Sequence, residues 1–149
     1  MVNSKDKGAA FERELVKTLN EKIKKGTFKK VPGSGAIGTV LNEPLLTADI
    51  KGTVEGFPKT IKIECKVGYG GKTQLALKRA WLNKIKMEAD SSWSFPILIG
   101  KFSGARAADG IQQFAVLGID DLVYMFNHIS NLSRELELAY EKAHKRELD

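Results

Sequence analysis

A seven-residue run, IKIECKV at positions 61–67, constrains the fold of this chain more than any other feature. In a β-strand, its odd-numbered side chains would point to one face and its even-numbered side chains to the other. The odd-numbered set is apolar, which predicts packing into a core, whereas the even-numbered set is Lys62, Glu64 and Lys66. Charged side chains on such a strand need exposure, a partner or a function. The run therefore predicts a sheet that carries a polar site on one face.

Helical and β patterns alternate along the rest of the chain. Helices are predicted over about 5–25, 73–90 and from 120 onward, and strands over 27–31, 45–54, 60–67, 95–102 and 111–119. Ser4 is expected to cap the first helix and Gly26 to end it. This order predicts an α/β sandwich with a mixed sheet, in which 45–54 and 60–67 form a hairpin. We expect one domain over 1–149, with 119–149 as a helical extension that packs on this domain or on a second subunit.

The composition narrows the class of protein. With 28% charged and 42% hydrophobic residues, the chain has the mixture of a globular protein rather than of a disordered one. It has no apolar run near the roughly 20 residues of a membrane span, and its single cysteine favours a reducing compartment. We therefore expect no membrane association and a cytoplasmic location.

The charge is distributed unevenly. Residues 1–86 contain 18 Lys and Arg against 8 Asp and Glu, whereas residues 87–149 contain 6 against 10. A strongly basic part beside an acidic one is typical of a protein with one face on a polyanion, so nucleic acid is the leading partner. The alternative is a solvated basic surface with no specific partner.

Two carboxylates and a lysine form the candidate site. If the hairpin turn is centred between Gly56 and Phe57, facing residues have numbers that sum to 113, which sets Asp49 opposite Glu64. Cross-strand Cβ atoms lie about 5 Å apart, so this pair can share a divalent ion, and Asp with Glu suits Mg²⁺ or Mn²⁺. Lys66 would lie where water is activated or charge develops on a phosphate, which suits phosphodiester hydrolysis. The alternative is a simple salt bridge between Glu64 and Lys66.

The order of these groups resembles a known superfamily. Glu12 on the first helix, Gly33-Ser34-Gly35 in a loop, Asp49, and then Glu64-x-Lys66 resemble the PD-(D/E)XK nucleases. More narrowly, KGAAFERELVKTL, GSG, ADI and IECK are similar to the archaeal Hjc-type Holliday junction resolvases, including relatives carried by viruses. The resemblance covers residues 7–67, and beyond them it depends on the order of elements.

The resemblance implies a restriction-endonuclease-like core and a role for each matching residue. Asp49 and Glu64 would be the metal ligands, with the backbone carbonyl of Cys65 as a third oxygen. Lys66 would be the catalytic lysine, and Glu12 would reach the metal through water. Mg²⁺ would be the metal, with Mn²⁺ able to substitute. DNA contacts are expected from Ser34 in the loop. They are also expected from the basic side chains around the site, namely Arg13, Lys17, Lys29, Lys30, Lys72 and Arg79.

The function that follows is a structure-selective DNA endonuclease that resolves four-way junctions. A four-way junction is two-fold symmetric, so a homodimer would present two active sites and nick two strands symmetrically. Two alternatives remain open: a nuclease of the same superfamily that cuts linear, flapped or site-specific duplex DNA, and a non-enzymatic DNA-binding module.

Overall fold

The computed structural model describes residues 3–32 and 48–148 of the chain. The chain divides into two compact units, Met1–Leu117 and Gly118–Asp149. The first unit contains, in its described part, a mixed sheet and two α-helices, and the second is one long helix. The predicted α/β class is therefore confirmed.

The elements of the first unit follow one another along the chain: α1 (Ser4–Lys22), β1 (Gly26–Lys30), β2 (Ile50–Val54), β3 (Ile61–Val67), α2 (Arg79–Asp90), β4 (Phe95–Lys101) and β5 (Gln113–Val116). Among the described residues the five strands form one sheet in sequence order. The β1–β2, β2–β3 and β4–β5 pairs are antiparallel, and β3–β4 is parallel. The parallel pair requires a crossover, and α2 supplies it.

The β2–β3 hairpin has the predicted register. Ile50 pairs with Ile63, Lys51 with Lys62, and Gly52 with Ile61, so the numbers of each pair sum to 113. The strand predicted over 45–54 begins at Ile50 in the described residues, and Asp49 directly precedes it rather than lying in its middle. The Asp49 amide donates to the Ile63 carbonyl at 3.1 Å, although Ile63 already pairs with Ile50, so the regular register ends at Ile50.

Two helices cover opposite faces of the sheet. Phe28 and Ile61 share one face through their pairing with Gly52, and they are buried together with Phe11 and Leu15 of α1. The other face of β3 meets α2, where the Lys62 Nζ donates to the backbone carbonyl of Glu88 at 3.3 Å. The alternation of IKIECKV therefore places its apolar side chains under α1 and its charged side chains under α2.

The first helix is shorter than predicted at its C-terminal end. Asn3, not Ser4, is its N-cap, because the Asn3 side chain accepts a hydrogen bond from the Lys5 amide at 3.2 Å. The helix ends at Lys22 and does not reach Gly26. The Asn20 side chain explains this early end, since its amide makes two hydrogen bonds with the Phe28 backbone, at 2.8 and 2.9 Å. The chain must turn back at once for β1 to reach Asn20.

The second helix starts six residues later than the predicted position 73. It begins at Arg79, and residues 68–78 form a loop. Gly68, Gly70 and Gly71 all have positive φ, a backbone conformation incompatible with a right-handed helix. The loop continues beyond these glycines, where the Ala76 amide donates to the Tyr69 carbonyl at 2.7 Å, and the helix begins only at Arg79.

The second unit is the helix α3 (Ile119–Leu148), which confirms the predicted helical C-terminus. Apolar side chains recur along it at intervals of three or four residues and remain substantially exposed, namely Val123, Phe126, Ile129, Leu132, Leu136 and Tyr140. None of the described helices is long and apolar enough to cross a membrane.

Candidate active site

Glu64 lies at the centre of the polar side of β3. Its side chain is only 4% exposed, and each carboxylate oxygen has a lysine partner. Lys66 Nζ lies 2.8 Å from Oε1, and Lys84 Nζ of α2 lies 3.2 Å from Oε2. Burial of a carboxylate is costly unless it is paired, and these two ammonium groups provide the pairing. The Glu64–Lys66 pair is thus largely buried rather than an exposed surface salt bridge.

Asp49 is held against the same strand. Its Oδ2 accepts a hydrogen bond from the Cys65 amide at 2.8 Å, while its own amide donates to the Ile63 carbonyl. The observed pairs of the hairpin end at Ile50 and Ile63, so the position of Asp49 opposite Glu64 stays a prediction. Glu64 and Lys66 share one face of β3, and the Asp49 carboxylate is bound to the backbone of Cys65, the residue between them.

Glu12 reaches the site from the other face. It projects from α1 with a side chain 15% exposed, and its Oε2 lies 2.9 Å from the Nζ of Lys30 on β1. Lys30, whose contact with DNA stays a prediction, pairs with Glu12 in this structure. The helix carboxylate is therefore positioned by a strand lysine.

The charges of these groups affect the pKa of the Cys65 thiol. Burial raises the pKa of Cys65 well above its ordinary value. The negative charges of Asp49, Glu12 and Glu64 raise this pKa further, in that order, and the Lys66 ammonium lowers it. All three carboxylates therefore lie within electrostatic range of the Cys65 thiol.

The donor set fits a hard divalent cation with few protein ligands. The described residues contain no group of three or more His, Cys, Asp or Glu side chains that could hold a metal ion. Asp49 and Glu64 offer two carboxylates, and the Cys65 carbonyl is a further oxygen on the same strand. Mg²⁺ keeps several waters and is usually bound by one or two carboxylates, so this sparse oxygen set suits it.

The predicted DNA-contact residues differ in their surroundings. The side chains of Arg13, Lys29, Lys72 and Arg79 are exposed. Lys17 is also exposed, and its Nζ lies 4.0 Å from Glu21 on the next turn of α1. Ser34, together with Gly33 and Gly35, lies outside the described residues.

Sequence reasoning missed Lys84 and Glu88 of α2. Lys84 Nζ lies 3.4 Å from Glu88 Oε1, in addition to its contact with Glu64. Burial lowers the pKa of Lys84, but the two carboxylates outweigh this effect and leave the pKa raised. Burial also raises the pKa of Glu88, although Lys84 opposes it. The sequence contained a signal for these two residues. Lys84 and Glu88 are spaced i, i+4 on one helix and flank the buried Ile85, so they lie at the edge of the helix face that packs on the sheet.

Fold and site together define a class of protein. A mixed sheet between α1 and α2, with Glu64 and Lys66 on one face of β3 and the Asp49 carboxylate bound to the Cys65 amide, is a restriction-endonuclease-like arrangement.

Comparison with known families agrees with this class. The family described as "Phage putative PDDEXK endonuclease" matches residues 3–142, and the chain belongs to this family. The predicted membership in the PD-(D/E)XK superfamily is thereby confirmed, and the protein is a nuclease of that superfamily. No curated protein matches the chain.

Proposed function

We propose that this protein is a metal-dependent DNA endonuclease that resolves four-way junctions. The observation that carries the proposal is the position of two carboxylates at β3: Asp49 Oδ2 accepts a hydrogen bond from the Cys65 amide at 2.8 Å, and the neighbouring Glu64 pairs with Lys66. Family membership supports nuclease chemistry. The junction as substrate is supported by the resemblance of residues 7–67 to the Hjc-type resolvases.

Each residue has a proposed chemical role. Asp49, Glu64 and the Cys65 carbonyl would hold Mg²⁺, with Mn²⁺ as a substitute. When bound, the metal supplies positive charge to the phosphodiester and lowers the pKa of water. Lys66 stabilises the negative charge that develops on the phosphate, and its contact with Glu64 sets its position. Glu12, held by Lys30, orients water at the edge of the site.

DNA binding is proposed to depend on phosphates and shape rather than on bases. The exposed cations Arg13, Lys17, Lys29, Lys72 and Arg79 are suited to phosphate oxygens. Ser34 is proposed to contact the cleaved strand. Contacts of this kind carry no sequence information, so junction geometry would supply the selectivity.

The homodimer is proposed to form through α3. Leu132, Leu136 and Tyr140 are 42%, 57% and 70% exposed and follow one another at helical spacing. A helix with such an apolar stripe is stabilised when a second apolar surface covers it. A second copy of this chain is the partner that matches a two-fold symmetric substrate, because it supplies the second active site.

We expect the protein to cleave a four-way junction in preference to a linear duplex of the same sequence. The two DNAs are placed together as competing substrates with Mg²⁺, and products are separated on a denaturing gel. Symmetric nicks in opposing strands of the junction are the expected result. Equal cleavage of both DNAs would contradict the resolvase proposal and favour a nuclease for linear or flapped DNA. Cleavage of neither DNA would favour a non-enzymatic DNA-binding module.

Leu136→Glu is expected to convert a dimer into a monomer. A carboxylate within the apolar stripe must be desolvated on association, which is unfavourable without a partner charge. Size-exclusion chromatography with light scattering measures the mass, and circular dichroism checks that the helix persists. Lys142→Glu is the matched control, because it adds a carboxylate at an exposed polar position of the same helix. A wild-type protein that is monomeric at every concentration would contradict the proposed dimer.

A further inference from the structure

We propose that Tyr69 and Trp81 form a binding site for an unpaired nucleobase beside the active site. We name these two residues the aromatic site. The inference rests on the proposed function, because it takes DNA as the ligand. It adds a contact to a base, whereas the proposed nuclease mechanism uses only phosphates.

The aromatic site adjoins the candidate active site directly. The ring centroids of Tyr69 and Trp81 lie 4.5 Å apart in an edge-on arrangement. Lys66 Nζ lies 5.1 Å from the Trp81 centroid and 2.8 Å from Glu64 Oε1. The lysine proposed to meet the reacting phosphate is therefore shared between the acidic cluster and the indole. A base on these rings would belong to a nucleotide close to the cleaved bond.

The loop that carries Tyr69 is held in a defined shape. The Tyr69 carbonyl accepts a hydrogen bond from the Ala76 amide at 2.7 Å, which closes the loop. Gly70 has a φ of +131°, and a Cβ atom at this position would lie 2.7 Å from the Gln74 carbonyl oxygen. Only glycine is compatible with this conformation. The backbone of Tyr69 is therefore held in a defined conformation at the end of β3, where its ring contacts Trp81.

The surroundings of the aromatic site attract a polyanion. Residues 66–79 contain Lys66, Lys72, Lys78 and Arg79 and no Asp or Glu. Lys78 Nζ lies 5.5 Å from the Trp81 centroid and 5.9 Å from the Tyr69 centroid. Tyr69 is 40% exposed and Trp81 is half-buried, so the Tyr69 ring is the more accessible of the two. Exposed rings combined with cations are the pattern by which proteins bind single-stranded nucleic acid.

The geometry of DNA explains why the ligand is an unpaired base. In a continuous duplex each base is stacked between its neighbours and offers no free face to a protein ring. A base face becomes accessible at a branch, a flap or a frayed end, where aromatic residues can stack on it. The aromatic site would thus favour branched DNA through a base, in addition to any selectivity that comes from junction shape.

The test compares two DNAs in EDTA, where binding is measured without cleavage. One is a forked duplex with 2-aminopurine in an unpaired arm, and the other is a fully paired duplex of the same sequence. Tyr69→Leu is expected to weaken binding of the fork by about tenfold and binding of the duplex by less than about twofold, because only the fork offers a base to stack. Binding should lower the 2-aminopurine emission with wild-type protein and with Tyr69→Phe, but not with Tyr69→Leu.

Trp93 provides the matched control. It is an exposed tryptophan with Lys59 Nζ 5.3 Å from its ring, and it precedes Phe95, which pairs with Ile61 at the far end of β3. Trp93→Leu should leave binding of both DNAs unchanged. Equal losses for fork and duplex with Tyr69→Leu, no loss, or no DNA binding by wild-type protein would each overturn the inference. A separate cleavage assay distinguishes the two proposals. If fork binding depends on Tyr69 but the wild-type protein cuts no DNA, only the nuclease proposal is refuted. If Tyr69→Leu cleaves DNA and binds the fork as the wild type does, only the aromatic site is refuted.

Discussion

The Lys66→Ala protein is expected to bind junction DNA with nearly wild-type affinity and to cleave it about 10²–10³-fold more slowly. The loss follows from the proposed role of Lys66, since a positioned cation that stabilises developing phosphate charge acts mainly in the transition state. Binding of the whole junction depends on many other cations. The fold should tolerate the change, because Lys84 still pairs with the second oxygen of Glu64.

The measurement separates binding from cleavage. Junction affinity is determined in EDTA by gel shift, and single-turnover cleavage is then started with Mg²⁺. Lys59→Ala is the matched control, since it removes the same charge and also a lysine that contacts a tryptophan ring, but at the opposite end of β3. Wild-type cleavage rates in Lys66→Ala would rule out the proposed role, and so would a loss of binding as large as the loss of rate.

Substitution of Asp49 is expected to reduce metal-dependent cleavage by at least about 10²-fold, because a bound metal supplies several kcal/mol of transition-state stabilisation. Comparison of Asp49→Asn with Asp49→Ala separates the effect of losing the negative charge from the effect of losing the hydrogen bond. The Asn side chain keeps an oxygen that can accept the Cys65 amide hydrogen bond, whereas Ala removes both the charge and the acceptor. Equal loss of cleavage in both variants, with lower thermal stability only in Asp49→Ala, would show that charge serves the metal and the hydrogen bond serves the fold.

Metal binding gives a readout that does not depend on activity. Isothermal titration calorimetry with Mg²⁺ or Mn²⁺ should detect binding to the wild-type protein and much weaker binding to Asp49→Asn. Asp90→Asn is the matched control, because Asp90 is an exposed carboxylate of α2 that pairs with Lys86 at 3.1 Å. Unchanged metal affinity in Asp49→Asn, or a fully active Asp49→Ala protein, would remove Asp49 from the proposed metal site.

Several features of the site were predictable because they depend on neighbours along the chain. The alternation in IKIECKV assigned Glu64 and Lys66 to one face of a strand, and the structure places both on the side of α2. The centre of the hairpin turn predicted the sum of 113, which three pairs confirm. Strand alternation and hairpin register are local properties, so a single sequence contains enough information to derive them.

Other features depend on contacts between distant parts of the chain. The end of α1 at Lys22 follows from the Asn20–Phe28 hydrogen bonds, and the residues before α2 form a loop in which the Ala76 amide donates to the Tyr69 carbonyl. The periodic pattern alone extended both helices too far. Periodicity indicates which residues prefer a helix, whereas the ends are decided by the partners available to the backbone.

The amino-acid sequence by itself determined the class of fold, the register of the β2–β3 hairpin and the side of the sheet that carries Glu64 and Lys66. Tertiary structure alone decided that Lys84 contacts Glu64, that Lys30 pairs with Glu12, and that Tyr69 lies against Trp81. The physical reason is the range of the interactions. Strand alternation and hairpin pairing act between residues close in the chain, while these side-chain contacts form only after helices and loops pack onto the finished sheet.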